Sequence, residues 1–491
     1  MKNRLAALLM SICMLVALIP AASADTAPVT ITIFGLPATV PDTDPILPVI
    51  EEAIGVNIET VATNDDEAML TARIAGGDIP DVFRVSNISN LKNYYENEVL
   101  LNLSDYMDKM PNLAALFTKD DWARVTFDGS VWAIPRRGEK NYNCWYIRYD
   151  WLEKLGEKCP TNFDELLDLC IKINNADLDG NGVNDTYALS GAYDTIYGRN
   201  AFAGFYTAYG CSAPDTIMIK DGKPVLTCTT EEFKLALNEI RRFVDAGVVD
   251  PEILSNSNNT VLEKMATGKC GTCYGAWCNY NKPAQVDIWK AVDANANWAR
   301  LENEIASEYG VSGAYQSACG YDAVYAINAD LVKEPEKLEA VLKLFDYIAT
   351  PEGDTLLSFG IEGVHYERDE NGTIVKLPGM DDLGHAYAIQ FLGRQDMLYC
   401  MTKFALCADT IEYCANDINI IYHYGEFVEQ PEGLNVADIK AYINEQVAAF
   451  IYGSKSMDEY DGFVDTLYNL YGLQIWLDAA NEQLGALGFL N

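Results

Sequence analysis

Val29-Thr30-Ile31-Thr32-Ile33-Phe34-Gly35 alternates apolar residues with threonine at period two, so it reads as a strand ending at the glycine. Ile46 to Ile54 follows as a helix stopped by Gly55, and Val56 to Val61 as a second strand. Glu67 to Ala75 is a helix stopped by Gly76-Gly77, Val82 to Val85 a third strand, and Leu91 to Tyr95 opens another helix. This order predicts a parallel sheet covered by helices. Ligands of such sheets bind beyond the C-terminal ends of the strands. Those loops begin near Phe34, Ala62 and Ser86, which makes Pro37, Asn87 and Asn90 candidate contacts.

Further along, Thr161 opens a helix with Asp164 at a capping-box position, and Thr229 opens another with Glu232. Ala323 to Ile327 is a short apolar strand and Leu338 to Ile348 a helix. Glu367 to Val375 reads as a hairpin around Asn371-Gly372, a type I′ pair. The last hundred residues are mostly helical. At the other end, Met1 to Ala24 has a short basic start, an apolar core and Ala22-Ser23-Ala24, the pattern of a secretory leader cleaved near Ala24.

The chain has 491 residues, 72 acidic against 35 basic, and a net charge of −37. Such acidity excludes a nucleic-acid binder or a ligand of anionic membranes. The 13 cysteines show no short regular spacing. They read as buried thiols packing as small hydrophobes rather than as a disulfide framework.

Asp177-Leu-Asp179-Gly-Asn181-Gly182-Val183-Asn-Asp185 places oxygen-bearing side chains at positions 1, 3, 5 and 9 of a loop with Gly at position 6. That spacing suits a hard cation such as Ca²⁺, with the Val183 carbonyl as a further donor. Position 12, commonly a bidentate Glu, is Ala188, so the loop reads as a structural clip rather than a sensor.

The order of several short segments resembles the extracellular solute-binding proteins of bacterial ABC transporters, in the subgroup with the alginate-oligosaccharide-binding proteins and the LipO-type lipoproteins. The segments are Ala75-Gly-Gly-Asp-Ile-Pro-Asp81, Val131-Trp-Ala-Ile-Pro135, Trp145-Tyr-Ile-Arg-Tyr-Asp-Trp151, the 177–185 loop, Ala246-Gly-Val-Val-Asp-Pro251, Tyr274-Gly-Ala-Trp277 and Phe359-Gly-Ile-Glu-Gly-Val-His365. The resemblance implies a type II-like periplasmic-binding-protein fold: two α/β lobes joined by a hinge of several crossings, with a helical C-terminal region. Residues 27–136 plus 323–385 would form the first lobe, and 138–320 plus 386–491 the second. Crossings near Pro135 and Val324 would form the hinge. It also implies structural calcium held by Asp177, Asp179, Asn181, the Val183 carbonyl and Asp185. Relatives often carry Glu after the last Asp, where this chain has Thr186.

Sugar sites combine flat apolar surfaces with polar groups, and Trp and Tyr supply the surface. Trp145, Tyr146, Tyr274, Trp277, Tyr280, Tyr315 and Tyr321 either line a cleft or pack in the core. Arg137, beside the expected hinge, is a candidate ligand contact because its planar fork suits polar groups, while Arg148 is expected to pair with Asp150. Neither H-E-x-x-H nor G-x-S-x-G occurs, and the three histidines, His365, His385 and His423, are dispersed. The expectation is an exported, monomeric, non-enzymatic protein that captures an oligosaccharide and passes it to the permease subunits of an ABC transporter. The alternatives are a secreted glycoside hydrolase or lyase, or the same fold taking a peptide or polyamine or serving a sensor kinase.

Overall fold

The computed structural model describes residues 28–63, 66–86, 88–138, 143–193, 201–276, 282–318 and 323–490, with the backbone alone for 66, 88, 89, 120, 276 and 396. The expected leader lies outside them, as do Asn87, Trp277, Tyr280 and Tyr321. No helix among the described residues is long and apolar enough to cross a membrane.

The first lobe is built on a four-stranded sheet ordered Val324–Ile327, Val82–Val85, Val29–Leu36, Val56–Ala62. The three N-terminal strands are parallel, and Val324–Ile327 joins antiparallel to Val82–Val85. Alternation assigns the two faces. Ile31, Ile33, Val82 and Tyr325 enter a core with the helices Leu47–Ile54 and Pro335–Ile348. Phe34, Phe83, Val85 and Ala326 enter a second core on the opposite face with Leu70 and Leu91. Helix Leu47–Ile54 ends at Gly55, whose φ of 76° terminates it in the left-handed region. Its start is fastened by Asp44, which accepts from the amides of Ile46 at 3.1 Å and Leu47 at 2.7 Å.

The second lobe has a mixed sheet ordered Trp298–Arg300, Asn143–Arg148, Cys270–Ala276, Tyr187–Gly191. Both of its faces are buried. Trp145, Ile147, Leu189 and Tyr274 pack with the helices Phe163–Asn174 and Glu231–Asp245 and the C-terminal helices. Cys144, Tyr146, Cys270 and Cys273 pack on the other side with Val261, Trp289, Cys407, Ile411 and Cys414. The ten described cysteines are all free and nine are buried, as expected of small apolar side chains. A parallel strand pair, Gly313–Ser317 with Asn419–His423, completes this lobe.

Three local expectations shift. The first capping residue is Asn162, which accepts from Glu165 N at 3.0 Å, while the Glu165 carboxylate turns back to Thr161 N at 2.9 Å. The second is Thr230, accepting from Phe233 N at 3.3 Å, so the helix runs Glu231–Asp245. In both cases the oxygen that meets the third helical amide becomes the cap. The hairpin strands are Tyr366–Arg368 and Ile374–Lys376, and the turn is a longer loop closed by Asp369, which accepts from Asn371 N at 2.9 Å and Thr373 N at 2.8 Å.

The lobe boundary also moves. Residues 386–392 do not belong to the second lobe: Ala386, Ala388, Ile389, Phe391 and Leu392 are buried in the first-lobe core with Tyr325 and Phe345. The chain therefore crosses a third time, near Gly393. The hinge is tied where Ile134 exchanges hydrogen bonds with Tyr325 and where Arg137 N donates to Leu392 O at 3.1 Å.

Candidate functional site

The strand ends and the crossings bring the chemistry to the face between the lobes. From the first lobe come Ser86, at the end of Val82–Val85, and the helix Ile88–Glu96. From the second comes Gly313–Ser317, with Asn419–His423 parallel beside it and Ser317 opposite His423. The turn Gly425–Phe427 follows at once and comes within 8 Å, Cα to Cα, of the helix Ile88–Glu96 of the first lobe. Lys92 of that helix forms an ion pair with Glu429 across the gap.

Ser317, His423 and Glu426 form a hydrogen-bonded group on this face. Ser317 Oγ donates to Glu426 Oε2 at 3.0 Å, and His423 Nδ1 lies 3.1 Å from the same oxygen. Ser317 and His423 are buried, whereas the Glu426 side chain is 39% exposed. Burial pushes the Glu426 carboxyl up, but the His423 ring and the Ser317 hydroxyl outweigh it and hold it below the usual range. The carboxylate is therefore ionised at neutral pH. Tyr315 is also buried, its ring centroid 6.3 Å from that of His423. Tyr315 belongs to the same second-lobe core as Trp145 and Tyr274. Ser317, His423 and Glu426 were not legible in the sequence as a group, because Glu426 is one of 72 acidic residues and meets Ser317 from 109 positions away.

The sequence-derived contacts fare differently. Arg137 is committed to the hinge. Its guanidinium pairs with both oxygens of Asp354, Nη1 to Oδ2 at 3.1 Å, and donates to the carbonyls of Leu392 at 3.2 Å and Gly393 at 3.0 Å. Its fork is thus occupied by protein groups, which corrects its reading as a ligand contact. Gly393, at φ 71°, leaves room for this approach, since a Cβ there would lie 2.5 Å from Arg137 O. Trp145 is core: its ring meets Phe205 and Tyr274 edge-on, each at 5.6 Å, and a Cβ on Gly204 would lie 2.4 Å from its Nε1. Tyr274 is 1% exposed and donates to Gly313 O at 2.7 Å, so it too packs inside the lobe. Asn87 and Trp277 lie outside the described residues. Arg148 pairs with Asp150 at 2.6 Å as expected, and also with Asp293 at 2.9 Å. His365 accepts from Ile361 N at 2.8 Å, and burial pushes its imidazole down.

The 177–185 loop follows the helix Phe163–Asn174. Gly180 at φ 74° and Gly182 at φ 79° turn the chain back on itself. Asp177 accepts from Gly182 N at 3.0 Å, and Asn181 Nδ2 donates to Asp179 at 2.8 Å and Asp185 at 3.0 Å. Lys269 forms an ion pair with Asp185 and, with Asn181, holds that carboxyl low. Asp179 is pushed up by burial and by the neighbouring Asp177 and Asp185. Three carboxylates, an amide oxygen and a carbonyl are suitable donors for a hard cation. Among the described residues, however, no three such side chains converge as a metal cage. Here the loop closes on its own Asn181 amide and on the Lys269 ammonium.

The chain is 27% identical over 312 residues to the polygalacturonan/rhamnogalacturonan-binding protein YtcQ of Bacillus subtilis, an alignment covering 63% of this chain and 60% of YtcQ. The chain thus spans less than two thirds of that relative. Among solved structures it resembles the Streptococcus pneumoniae ABC-transporter substrate-binding protein FusA in complex with kestose, with a TM-score of 0.70 at 19% identity over 94% of this chain and 99% of that one. It also resembles the alginate-binding protein AlgQ2 without calcium ion, with a TM-score of 0.69 at 18% identity over 94% and 98% of the two chains. These likenesses show the bilobal solute-binding fold. The model of the bacterial extracellular solute-binding proteins matches residues 43–355, and with two α/β lobes, three crossings and strand ends meeting between the lobes, this chain belongs to that family.

Proposed function

We propose that this protein captures an oligosaccharide outside the cell by closing its lobes and presents it to the permease of an ABC transporter. The observation that carries the reading is the convergence of both lobes at the crossings. Ser317 and His423 end adjacent strands there, the Gly425–Phe427 turn comes within 8 Å, Cα to Cα, of the first-lobe helix Ile88–Glu96, and Lys92 of that helix pairs with Glu429. The relatives named for polygalacturonan and fructooligosaccharide binding support the ligand class. Closure is a population shift: a ligand held by both lobes favours the closed arrangement by as much as it binds that arrangement more tightly than the open one. Export would follow the Met1–Ala24 leader.

A thermal-shift screen against oligosaccharides tests this. Ligand at about 100 times its Kd adds about 2.7 kcal/mol to the folded state, which raises Tm by several degrees. Absence of a shift with every saccharide, combined with a shift for peptides or polyamines, would sink the carbohydrate reading.

We also propose a structural role for calcium in this loop, with Asp177, Asp179, Asn181, the Val183 carbonyl and Asp185 as ligands. Bound there, the ion would supply positive charge among three carboxylates and brace the link between the Phe163–Asn174 helix and the Tyr187–Gly191 strand. Millimolar calcium should raise Tm and a chelator should reverse the rise. Asp179→Ala should abolish both responses while changing ligand Kd less than threefold. A Tm indifferent to calcium refutes the brace, as does a chelator effect on ligand binding alone.

A further inference from the structure

The Ser317–Glu426–His423 group says more about the ligand than its being a saccharide, an inference that rests on the carbohydrate reading above. An ionised carboxylate only accepts hydrogen bonds. Glu426 Oε2 is used by Ser317 and His423, while no other described residue bonds Oε1, and the side chain is 39% exposed. Ser317 and His423, both buried at adjacent strand ends, fix where that carboxylate points. The turn that carries it faces the first-lobe helix Ile88–Glu96. A molecule between the lobes thus meets a held acceptor, which sugar hydroxyls satisfy and a ligand carboxylate does not.

Of the cations on the crossing elements, Lys92 and Arg137 are neutralised by the carboxylates of Glu429 and Asp354. Arg84 donates to Ser86 Oγ at 2.6 Å, Arg136 to Gln390 O at 3.1 Å and Arg394 to Gln390 Oε1 at 3.2 Å, acceptors that direct these guanidinium groups without cancelling their charge. The protein as a whole carries −37. A saccharide carboxylate placed at Glu426 would meet a like charge as the lobes close, which disfavours it there.

We propose that Glu426 accepts hydrogen bonds from the hydroxyls of an uncharged oligosaccharide and selects it over uronic-acid oligosaccharides. The partner chemistry is vicinal hydroxyl donors without carboxylates, which separates this chain from a polygalacturonan binder.

The test is calorimetric titration of the intact protein and of Glu426→Gln. One set of ligands is neutral (fructo-, gluco-, galacto- and manno-oligosaccharides) and the other is uronic (oligogalacturonates and alginate oligomers). For the wild type, the best neutral ligand should bind at least 100-fold more tightly than any uronide. In Glu426→Gln the neutral affinity should fall at least 10-fold and the neutral-to-uronide ratio should narrow. Glu370→Gln, which removes an exposed carboxylate from the 369–373 hairpin loop, should keep the ratio within threefold of wild type. A uronide binding as tightly as the best neutral sugar overturns the proposal, as does a ratio unchanged in Glu426→Gln, and both leave the carbohydrate reading intact. If Glu426→Gln does not fold, the wild-type ratio alone decides. If no saccharide of either set binds, both this proposal and the carbohydrate reading fall.

Discussion

Arg137→Met should lower the unfolding free energy by about 3–5 kcal/mol, the range for breaking one side of a buried ion pair. Arg137 and Asp354 have side chains 19% and 10% exposed, so little water replaces the lost partner. The substitution strands the Asp354 carboxylate with Gln395 Nε2 at 3.2 Å as its remaining side-chain donor, and it removes the side-chain donors to Leu392 O and Gly393 O. Those bonds fasten the third crossing to the first, so the hinge loosens together with the fold. Arg137→Met/Asp354→Leu should recover most of the loss, because an apolar pair of similar volume replaces a buried ion pair at little cost. Urea unfolding of the two variants and of Asp354→Leu completes the double-mutant cycle. If Arg137→Met kept its stability and lost ligand, the hinge assignment would be wrong and the guanidinium would be a ligand group after all.

Lys264→Met should cost a similar amount, about 3–5 kcal/mol. Asp250 is 1% exposed and accepts from Ser190 Oγ at 2.6 Å, Lys264 Nζ at 2.7 Å, Asn256 Nδ2 at 2.9 Å and Glu252 N at 3.0 Å. This node fastens the helix Asn258–Ala266 to the strand Tyr187–Gly191, since Asp250 N also donates to Leu189 O at 2.8 Å. Burial pushes the Asp250 carboxyl up, but Lys264 and the hydroxyl and amide donors outweigh it and leave it low. Burial pulls Lys264 down, and its two carboxylates outweigh that and leave it high. A lowered carboxylate stabilises the fold above its unfolded value, about 3.9, and that contribution is lost as pH falls through the folded value. A raised ammonium stabilises below its unfolded value, about 10.4, and that contribution is lost as pH rises through the folded value. The contribution of the pair should therefore be flat between about pH 4 and pH 10 and fall away on both sides. Lys264→Met should remove its share of the decline at both edges. An unchanged pH–stability curve in the variant would mean that the pair contributes nothing net.

The first sheet was legible because its information is local. Val-Thr-Ile-Thr-Ile states its own burial pattern, and Gly55 ends the helix before the next strand by a backbone angle that glycine adopts freely. Helix starts were legible only to within a residue. Thr161 and Asn162, or Thr229 and Thr230, are chemically equivalent caps until the third helical amide selects one oxygen. The binding face was hardest to read. Trp145 and Tyr274 have the composition of a sugar platform, but they sit in mid-strand with side chains on the face that packs against Phe205 and the Glu231–Asp245 helix. An aromatic ring serves either place equally well, and the decision lies in which side of the sheet it leaves.

The sequence by itself determined the strand–helix order, the buried character of the thiols, the ordered segments by which the family is recognised and the oxygen-rich loop at 177–185. Each of these depends on neighbours a few residues apart, over which periodicity and turn chemistry act. The tertiary structure alone decided that residues 386–392 return to the first lobe, that Arg137 is a hinge strut paired with Asp354, and that Ser317, His423 and Glu426 share one acceptor between the lobes. Those pairings join residues 217 and 109 positions apart. An acidic chain with 72 carboxylates has many possible partners for every cation and hydroxyl. Burial and distance, which exist only once the chain has folded, select among them.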